Sequence, residues 1–277
     1  MRLCHSNDKG TPAVYRHLLG LKRDTENTVL YYQDEKLTGL LCVYFFYEQA
    51  CEISLMVAPK QRNQGISCLL LQAILPLLQA KGITTLFFSS ATSYGDKWLP
   101  AKGFTYQQSE YHMERNSYET RLIANPSLHF RKATMTDLDV LFQLDNACFP
   151  KENTNMQERL TYILNNPDYT ILLASYNQLV VGKAHIHWRE ENTLLSDIAI
   201  FPIHQGKGFG SELLANSINH ALNLGKIKLA LDVETSNKNA LNLYLRHGFK
   251  TTNIYDYWFI SIEKLLSDQR FSRGIAF

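Results

Sequence analysis

The chain has 277 residues, 45% hydrophobic and 19% charged, with a formal net charge of +2. That is too much apolar material for disorder and enough for one large core or two ordinary ones. A near-neutral balance with no long basic run excludes bulk electrostatic attraction to nucleic acid or to an anionic membrane.

The opening residues, MRLCHSND, carry no apolar segment of the kind a signal peptide needs. The longest apolar stretch, Cys68 to Leu78, is interrupted by Gln72 and Pro76 and is too short to span a bilayer. Cys4, Cys42, Cys51, Cys68 and Cys148 form no CxxC pair and are odd in number, so reduced thiols in a cytoplasmic protein are expected.

In chain order, alternation predicts strands over residues 28–32, 37–47 and 51–57, the last closed by Pro59. Helical spacing follows over residues 65–80, where Pro76 predicts a kink. A strand over 83–89 and a short helix over 96–102, ended by Gly103-Phe104, complete the first half. The second half opens with strands over 170–174 and 179–187 around the turn Tyr176-Asn177-Gln178, then a strand over 194–201 closed by Pro202. Residues 208–224 read as a helix with Leu213, Leu214, Ser217, Ile218, Ala221 and Leu222 on one stripe and Gly225 at its end. A strand over 227–233, a helix over 239–247 ended by Gly248, and a strand over 255–262 follow.

The two halves therefore run in the same order. Pro59 and Arg62 correspond to Pro202 and Gln205 at an offset of 143, and Gly103-Phe104 to Gly248-Phe249 at 145. The pattern is a tandem duplication of one α/β unit. The expected domains are 1–120 and 127–277, joined by the polar stretch Asn116–Ser127 with its Asn125-Pro126 turn.

The chemistry concentrates in residues 198–211, IAIFPIHQGKGFGS, a strand, a short loop, a glycine turn and a helix start. Backbone N–H groups and the helix dipole at such a start attract an anion, typically phosphate. Glycines at 206, 208 and 210 keep side chains out of the way of a pyrophosphate. A Walker A loop is excluded because Gly208, not Ser or Thr, follows Lys207. A dinucleotide fingerprint fits poorly, because Pro202 to Gln205 separate strand from glycine and Ser211 replaces the third glycine.

The remaining reading rests on a resemblance. Gln205-Gly206-Lys207-Gly208-Phe209-Gly210 is similar to the Q/R-x-x-G-x-G/A signature of the GCN5-related N-acetyltransferases. Residues 232–249, DVETSNKNALNLYLRHGF, resemble that family's second motif, and the likeness covers about Leu128 to Ile262. Cys148-Phe149-Pro150 and Asp232-Val233 more weakly resemble the ribosomal-protein alanine acetyltransferases.

The resemblance implies two tandem acetyltransferase-like α/β units, each a mixed, mostly antiparallel twisted sheet flanked by helices. It implies acetyl transfer from acetyl-CoA to a primary amine of a small molecule or of a peptide or protein N-terminus. By the same resemblance, backbone amides of Gln205, Gly206, Lys207, Gly208, Phe209, Gly210 and Ser211 hold the pyrophosphate. The backbone of Ile198, Ala199 and Ile200 holds the pantetheine and polarises the thioester. Asn237 contacts the cofactor, and Tyr244 protonates the departing thiolate.

For the base, Asp197 and Asp232 are the candidates, Asp232 matching the family's glutamate but shorter; a hydrogen bond at a strand end is the alternative for each. A packed helix residue is the alternative for Tyr244 and a turn residue for Asn237. His185 and His187 share a strand face and could bind a metal or line the acceptor groove; with no third ligand in view no metal is expected, and they are read as ordinary strand histidines. Cys148 is read as a small apolar side chain.

The first copy departs from the pattern. Its loop, Arg62-Asn63-Gln64-Gly65-Ile66-Ser67, has Ser67 where the last glycine belongs. Leu99 falls where Tyr244 lies and Thr92 where Asn237 lies. Its lead-in to the first strand is also shorter. A structural or substrate-covering lobe is expected, with bound but unreactive CoA as an alternative. A CoA- or amine-binding sensor without turnover is the different-class alternative for the whole chain, and a nucleotide-linked oxidoreductase a weaker one. Acceptor and oligomeric state are not encoded in these motifs.

Overall fold

The computed structural model describes residues 2–8, 27–45, 48–91, 98–123, 126–149 and 156–267. Clustering of its contacts gives two compact units: Met1–Tyr111 with Glu234–Ser236 and Asn253–Phe277, and His112–Val233 with Asn237–Thr252. The packed units thus interleave in sequence, each completed by a segment from the other half of the chain.

The N-terminal unit begins with helix α1 (Arg2–Asp8) and strands β1 (Thr28–Gln33), β2 (Lys36–Tyr44) and β3 (Ala50–Val57). Helix α2 (Ile66–Ala80) and strand β4 (Thr85–Ala91) follow. β1 pairs β2 and β2 pairs β3 antiparallel, whereas β4 lies parallel to β3. This is a mixed, mostly antiparallel sheet, and α2 lays Leu70, Leu71, Ile74 and Leu78 against it. Although Pro76 cannot donate to the preceding turn, α2 continues through it as one element. Of the helix expected over 96–102, residues 98–101 are helical and Lys102 is in the turn that follows, whereas Thr92, Asp96 and Lys97 lie outside the described residues.

Two strands were not anticipated at their full length. β5 (Thr105–Asn116) escaped the sequence reading altogether, because TYQQSEYHMERN carries few apolar residues to alternate. The last strand of the chain, β11, spans Lys250–Ser261 and pairs antiparallel with β4, Tyr255 to Ser261 lying opposite Ala91 to Thr85. Its Trp258 and Ile260, with Ile262 and Leu265 just beyond, belong to the same core as Leu41, Ile53 and Leu86.

The C-terminal unit runs β6 (His129–Lys132), α3 (Leu138–Cys148), α4 (Met156–Asn165), β7 (Tyr169–Tyr176), β8 (Leu179–Trp188) and β9 (Thr193–Ile200). Then come α5 (Phe209–Asn223), β10 (Lys228–Glu234) and α6 (Lys238–Arg246). β6 to β9 form an antiparallel meander, and β10 lies parallel to β9. α5 buries Leu213, Leu214, Ser217, Ile218 and Ala221 as the period of 3.6 requires. On it Glu212 accepts the backbone N–H groups of Ser127 and Leu128, which anchors the chain entering the unit. α3 and α4 bury Leu141, Leu160 and Ile163 against Ile171 and Leu173 of β7.

Candidate active site of the C-terminal unit

Strand β9 departs from a regular ladder in two ways, and both open backbone groups. Toward β10 its parallel pairing covers Thr193 and Leu194 only, so from Leu195 onward that edge is unpaired. Toward β8 the register shifts between Lys183 and His185, which lie opposite Ala199 and Ser196. Asp197 and Ile198 together stand opposite the single residue Ala184, one residue more than the ladder needs, and Asp197 adopts φ +47°, left-handed for a residue other than glycine. A bulge of this kind removes its residue from the ladder and re-aims the backbone groups beside it. An N–H pointing into an unpaired cleft is what a thioester carbonyl would meet.

Past β9 the chain turns through Pro202–His204 and enters the glycine turn. Gly206 and Gly208 have φ +76° and +85°, and a Cβ at either would meet nothing within 4 Å. The glycines are therefore required by backbone conformation, and the space in front of them is open. α5 starts at Gly208 without a side-chain cap, leaving first-turn N–H donors for an outside acceptor. Gly210 differs: its virtual Cβ sits at ordinary distance, 3.8 Å, from Leu243 of α6. α6 is held beside this turn, since Ser211 Oγ and His247 Nε2 lie 2.8 Å apart.

The predicted residues fall into distinct positions around this frame. Gln205 sends its side chain back to donate to Ile200 O at 2.9 Å, and Cys148 Sγ lies 3.4 Å from the same oxygen. Both shape the loop, and Cys148 thus has a polar contact as well as packing. Pro150 lies outside the described residues. Lys207 is exposed. Phe209 is buried against Tyr176 and His204, so only its backbone faces the turn. Asn237 accepts Ala240 N at 3.1 Å as the N-cap of α6. Tyr244 is 8% exposed, edge-on to Phe249 at 6.2 Å, and burial pushes its phenol up to about 12. No hydrogen bond engages its hydroxyl among the described residues.

The two aspartates sit in different surroundings. Asp232 on β10 is 2.6 Å from His112 Nδ1 on β5, whose other ring nitrogen is 3.4 Å from Glu114. Burial opposes a charge on His112, but Asp232 and Glu114 outweigh it and raise its pKa. Asp197 lies at the outer end of a buried chain of charges. Asp145 is 2.5 Å from Lys183, whose ammonium is 3.0 Å from His185 Nε2, and His185 Nδ1 is 3.2 Å from Asp197. Ser196 donates to Asp197, and Arg159 of α4 reaches it at 3.1 Å. Because an ammonium only donates, His185 must accept at Nε2 and carry its proton on Nδ1, toward Asp197. Burial raises the Asp197 pKa, yet His185, Arg159 and Lys183 together hold it well below the usual carboxylate range. Burial first, then Lys183, lowers that of His185.

His112, Asp145, Arg159 and Lys183 were missed at the level of sequence. Lys183 left a signal, as the charged residue inside the otherwise apolar strand VVGKAHIHW. His112 left none, since its strand comes from the other half of the chain. His187 stacks on Tyr169 at 4.0 Å and accepts from Arg189, and no cluster able to hold a metal occurs among the described residues.

The N-terminal unit keeps part of this frame. Asn63 and Gly65 repeat the left-handed positions of Gly206 and Gly208, with φ +62° and +83°. Cys4 contacts Val57 O as Cys148 contacts Ile200 O. A cleft of about 310 Å³ opens beyond the β3–β4 pairing, walled by Leu55, Met56, Phe88 and Trp98. Within it Arg62 is bound through both terminal nitrogens to Asp8, at 2.7 and 2.6 Å. The bulge, however, is gone: β2 and β3 pair without a register shift from Gly39–Val57 to Tyr44–Glu52. At the offset of 143, Leu40, Cys42 and Ser54 replace Lys183, His185 and Asp197, and Leu99 is a fully buried core residue.

A sequence model of the acetyltransferase (GNAT) family matches residues 2–96 and 138–249. Two curated relatives align over 89 residues, 30% of this chain and 52% of each relative. They are an L-amino acid N-acyltransferase of Escherichia coli at 33% identity and an L-methionine sulfoximine/L-methionine sulfone acetyltransferase of Salmonella typhimurium at 32%. The chain spans about half the length of these relatives. Among solved structures, a GCN5-related N-acetyltransferase from Sphaerobacter thermophilus superposes with a TM-score of 0.79 at 16% identity, covering 94% of this chain and 90% of that one. A tandem GNAT protein from the clavulanic acid biosynthesis pathway gives 0.63 at 12%, covering 85% and 83%. At these identities the likeness is one of fold, here a fold repeated in tandem.

Proposed function

The chain belongs to the acetyltransferase (GNAT) family, and we propose that its C-terminal unit transfers an acetyl group from acetyl-CoA to a primary amine. The bulge at Asp197 carries this reading, because the C-terminal copy has it where the other copy pairs without interruption. The donor supplies an activated acyl carbon and a thiol leaving group. Backbone groups at Ile198 to Ile200 face the unpaired edge of β9 and are suited to hold the pantetheine and polarise the acyl carbonyl. The turn from Gln205 to Ser211, uncapped and open, is suited to the pyrophosphate. Tyr244 is the proposed hydrogen-bond donor to sulfur. Asp232 with His112 is the proposed acceptor of the amine proton, since the partners of Asp197 hold its carboxyl well below the usual carboxylate range and so make it a poor base.

The two copies are read as residues 1–120 and 127–277, the first without turnover. The substrates named for the curated relatives, L-amino acids and methionine analogues, favour a small amine over a protein N-terminus as acceptor. No described helix is long and apolar enough to cross a membrane.

The test is a matched pair at the glycine turn. Gly208→Asn and Gly208→Asp impose the same left-handed strain with nearly the same shape, but only the second places a carboxylate before the proposed pyrophosphate. Calorimetry with acetyl-CoA should show the Asp variant weaker than the Asn variant by tenfold or more, about 1.4 kcal/mol. Equal affinity of two folded variants refutes the assignment of the turn.

A further inference from the structure

The exposed end of the buried charge chain has a polarity of its own. Asp197, 12% exposed at its side chain, and Arg159, 46% exposed, face each other across 3.1 Å beside the bulge. Behind Asp197 stand His185, Lys183 and Asp145, and Ser196 lies at its flank. Counted together, Asp145 and Asp197 balance Lys183 and Arg159, so the cluster has no excess negative charge to attract a polycation. A polyamine or aminoglycoside approaching Asp197 would meet the guanidinium of Arg159 first. The group that complements a neighbouring carboxylate and guanidinium is one bearing an amine and a carboxylate on the same carbon.

We propose that Arg159 and Asp197 form the recognition pair for an α-amino acid acceptor, Arg159 taking the α-carboxylate and Asp197 an N–H of the α-amine. This rests on the acyl-transfer reading above and names its acceptor. Arg159 presents a planar fork that matches a carboxylate through two parallel hydrogen bonds. Asp197 follows Ser196 and precedes Ile198 in the bulge, so an amine held on it lies next to the backbone proposed to polarise the acyl group. An N–H given to Asp197 orients the nitrogen lone pair; Asp197 stays ionised and is a positioning residue, not the base. The amino acid enters as its zwitterion, which exchanges one ion pair for two and leaves the cluster neutral. The nitrogen lone pair becomes available once the ammonium has given one proton to the base, while Asp197 keeps a remaining N–H. The buried Lys183 and His185 fix the carboxylate from behind, so the pair is preorganised before the acceptor arrives. In the first copy Ser54 replaces Asp197 and Cys42 replaces His185, which removes the anchor together with the bulge.

The experiment compares L-methionine with L-methioninamide as acceptors, following thiol release from acetyl-CoA by the full chain. The wild type should favour the acid in kcat/KM by about 10- to 100-fold, the worth of a hydrogen bond to a charged group. Arg159→Ala should erase that preference by raising KM for methionine, with KM for acetyl-CoA unmoved. Arg159→Lys should restore only part, because a single point charge replaces the fork. Arg159 is nearly half exposed and sits on a helix whose core contacts are made by other residues, so both variants should fold. Equal rates for acid and amide, or a preference that survives in Arg159→Ala, overturns the pairing and leaves acyl transfer standing. Absence of acetyl-CoA binding together with absence of thiol release from either acceptor overturns both.

Discussion

Replacing Tyr244 by Phe isolates the hydroxyl from everything else at the site. The ring is almost fully buried and packs on Phe249, contacts that Phe retains. With no hydrogen bond to lose among the described residues, the cost in stability should stay within about 0.5 kcal/mol. The rate should respond differently. Burial raises the phenol to about 12, whereas a free thiol titrates near 8.5. Complete proton transfer to a departing thiolate would then be uphill by about 3.5 pK units, roughly 5 kcal/mol. Tyr244 is thus better placed to donate a hydrogen bond to the developing thiolate than to surrender its proton early. A hydrogen bond to a charged group is worth about 1.5–3 kcal/mol, a loss of roughly 10- to 150-fold in rate. Single-turnover acetylation must be measured, because slow product release would mask a change in chemistry. KM for acetyl-CoA should barely move, since the interaction matures only as charge reaches sulfur. A Phe variant as fast as wild type in a single turnover would remove Tyr244 from the mechanism. A loss of about 10⁴-fold or more would instead indicate full proton donation, against the argument from its raised pKa.

The other expectations concern two buried groups of the C-terminal unit and one glycine of the first copy. Lys183→Met leaves Asp145 charged and buried, and urea denaturation should register a loss of about 3–5 kcal/mol; adding Asp145→Leu should recover most of it, and a single variant costing under about 1 kcal/mol would refute the buried pair. Burial, then Arg121, Arg246 and Arg115, depresses His247 to about 4 from the 6.5 of a free imidazole. Its contribution to stability is therefore complete above pH 6.5 and lost as pH falls toward 4, and acid titrations of His247→Gln should lack that part of the decline. Gly65→Asp in the N-terminal glycine turn should leave turnover within a few-fold of wild type, whereas a folded variant silenced by this change alone would make the first copy catalytically necessary.

Much of the fold was open to reading because local rules and tertiary packing agree there. The stripe on α5 and the glycines at 206, 208, 225 and 248 state their geometry in sequence, and all four glycines have positive φ. α3, α4 and β6 were less legible: α3 mixes Asp139, Gln143 and Asp145 into its apolar pattern, and β6 is four residues long. At the site the glycines indicated the turn, and Tyr244 was indicated through the family resemblance. Nothing in the sequence accounted for why Asp197 should be special, because a bulge is a property of pairing between two strands rather than of either one. The Lys183–Asp145 pair was hidden for the same reason, its members lying 38 residues apart on a strand and a helix. His112 required knowing that β5 delivers its second half to the unit containing Asp232.

The interleaving of the units sets a timetable for biogenesis. β4 ends at Ala91, but the strand that pairs with it begins contributing at Tyr255, 164 residues later. At a ribosomal speed of about 5–20 residues per second, the N-terminal unit waits roughly 8–33 s for Trp258 and Ile260. Throughout that interval β4, with Leu86 and Phe88, presents an open sheet edge beside an unfinished core, the kind of surface on which nascent chains aggregate. Dependence on chaperones should accordingly be greatest while the C-terminal copy is still being synthesised, and slow codons between β4 and β11 should lower yield without altering a single residue of the product.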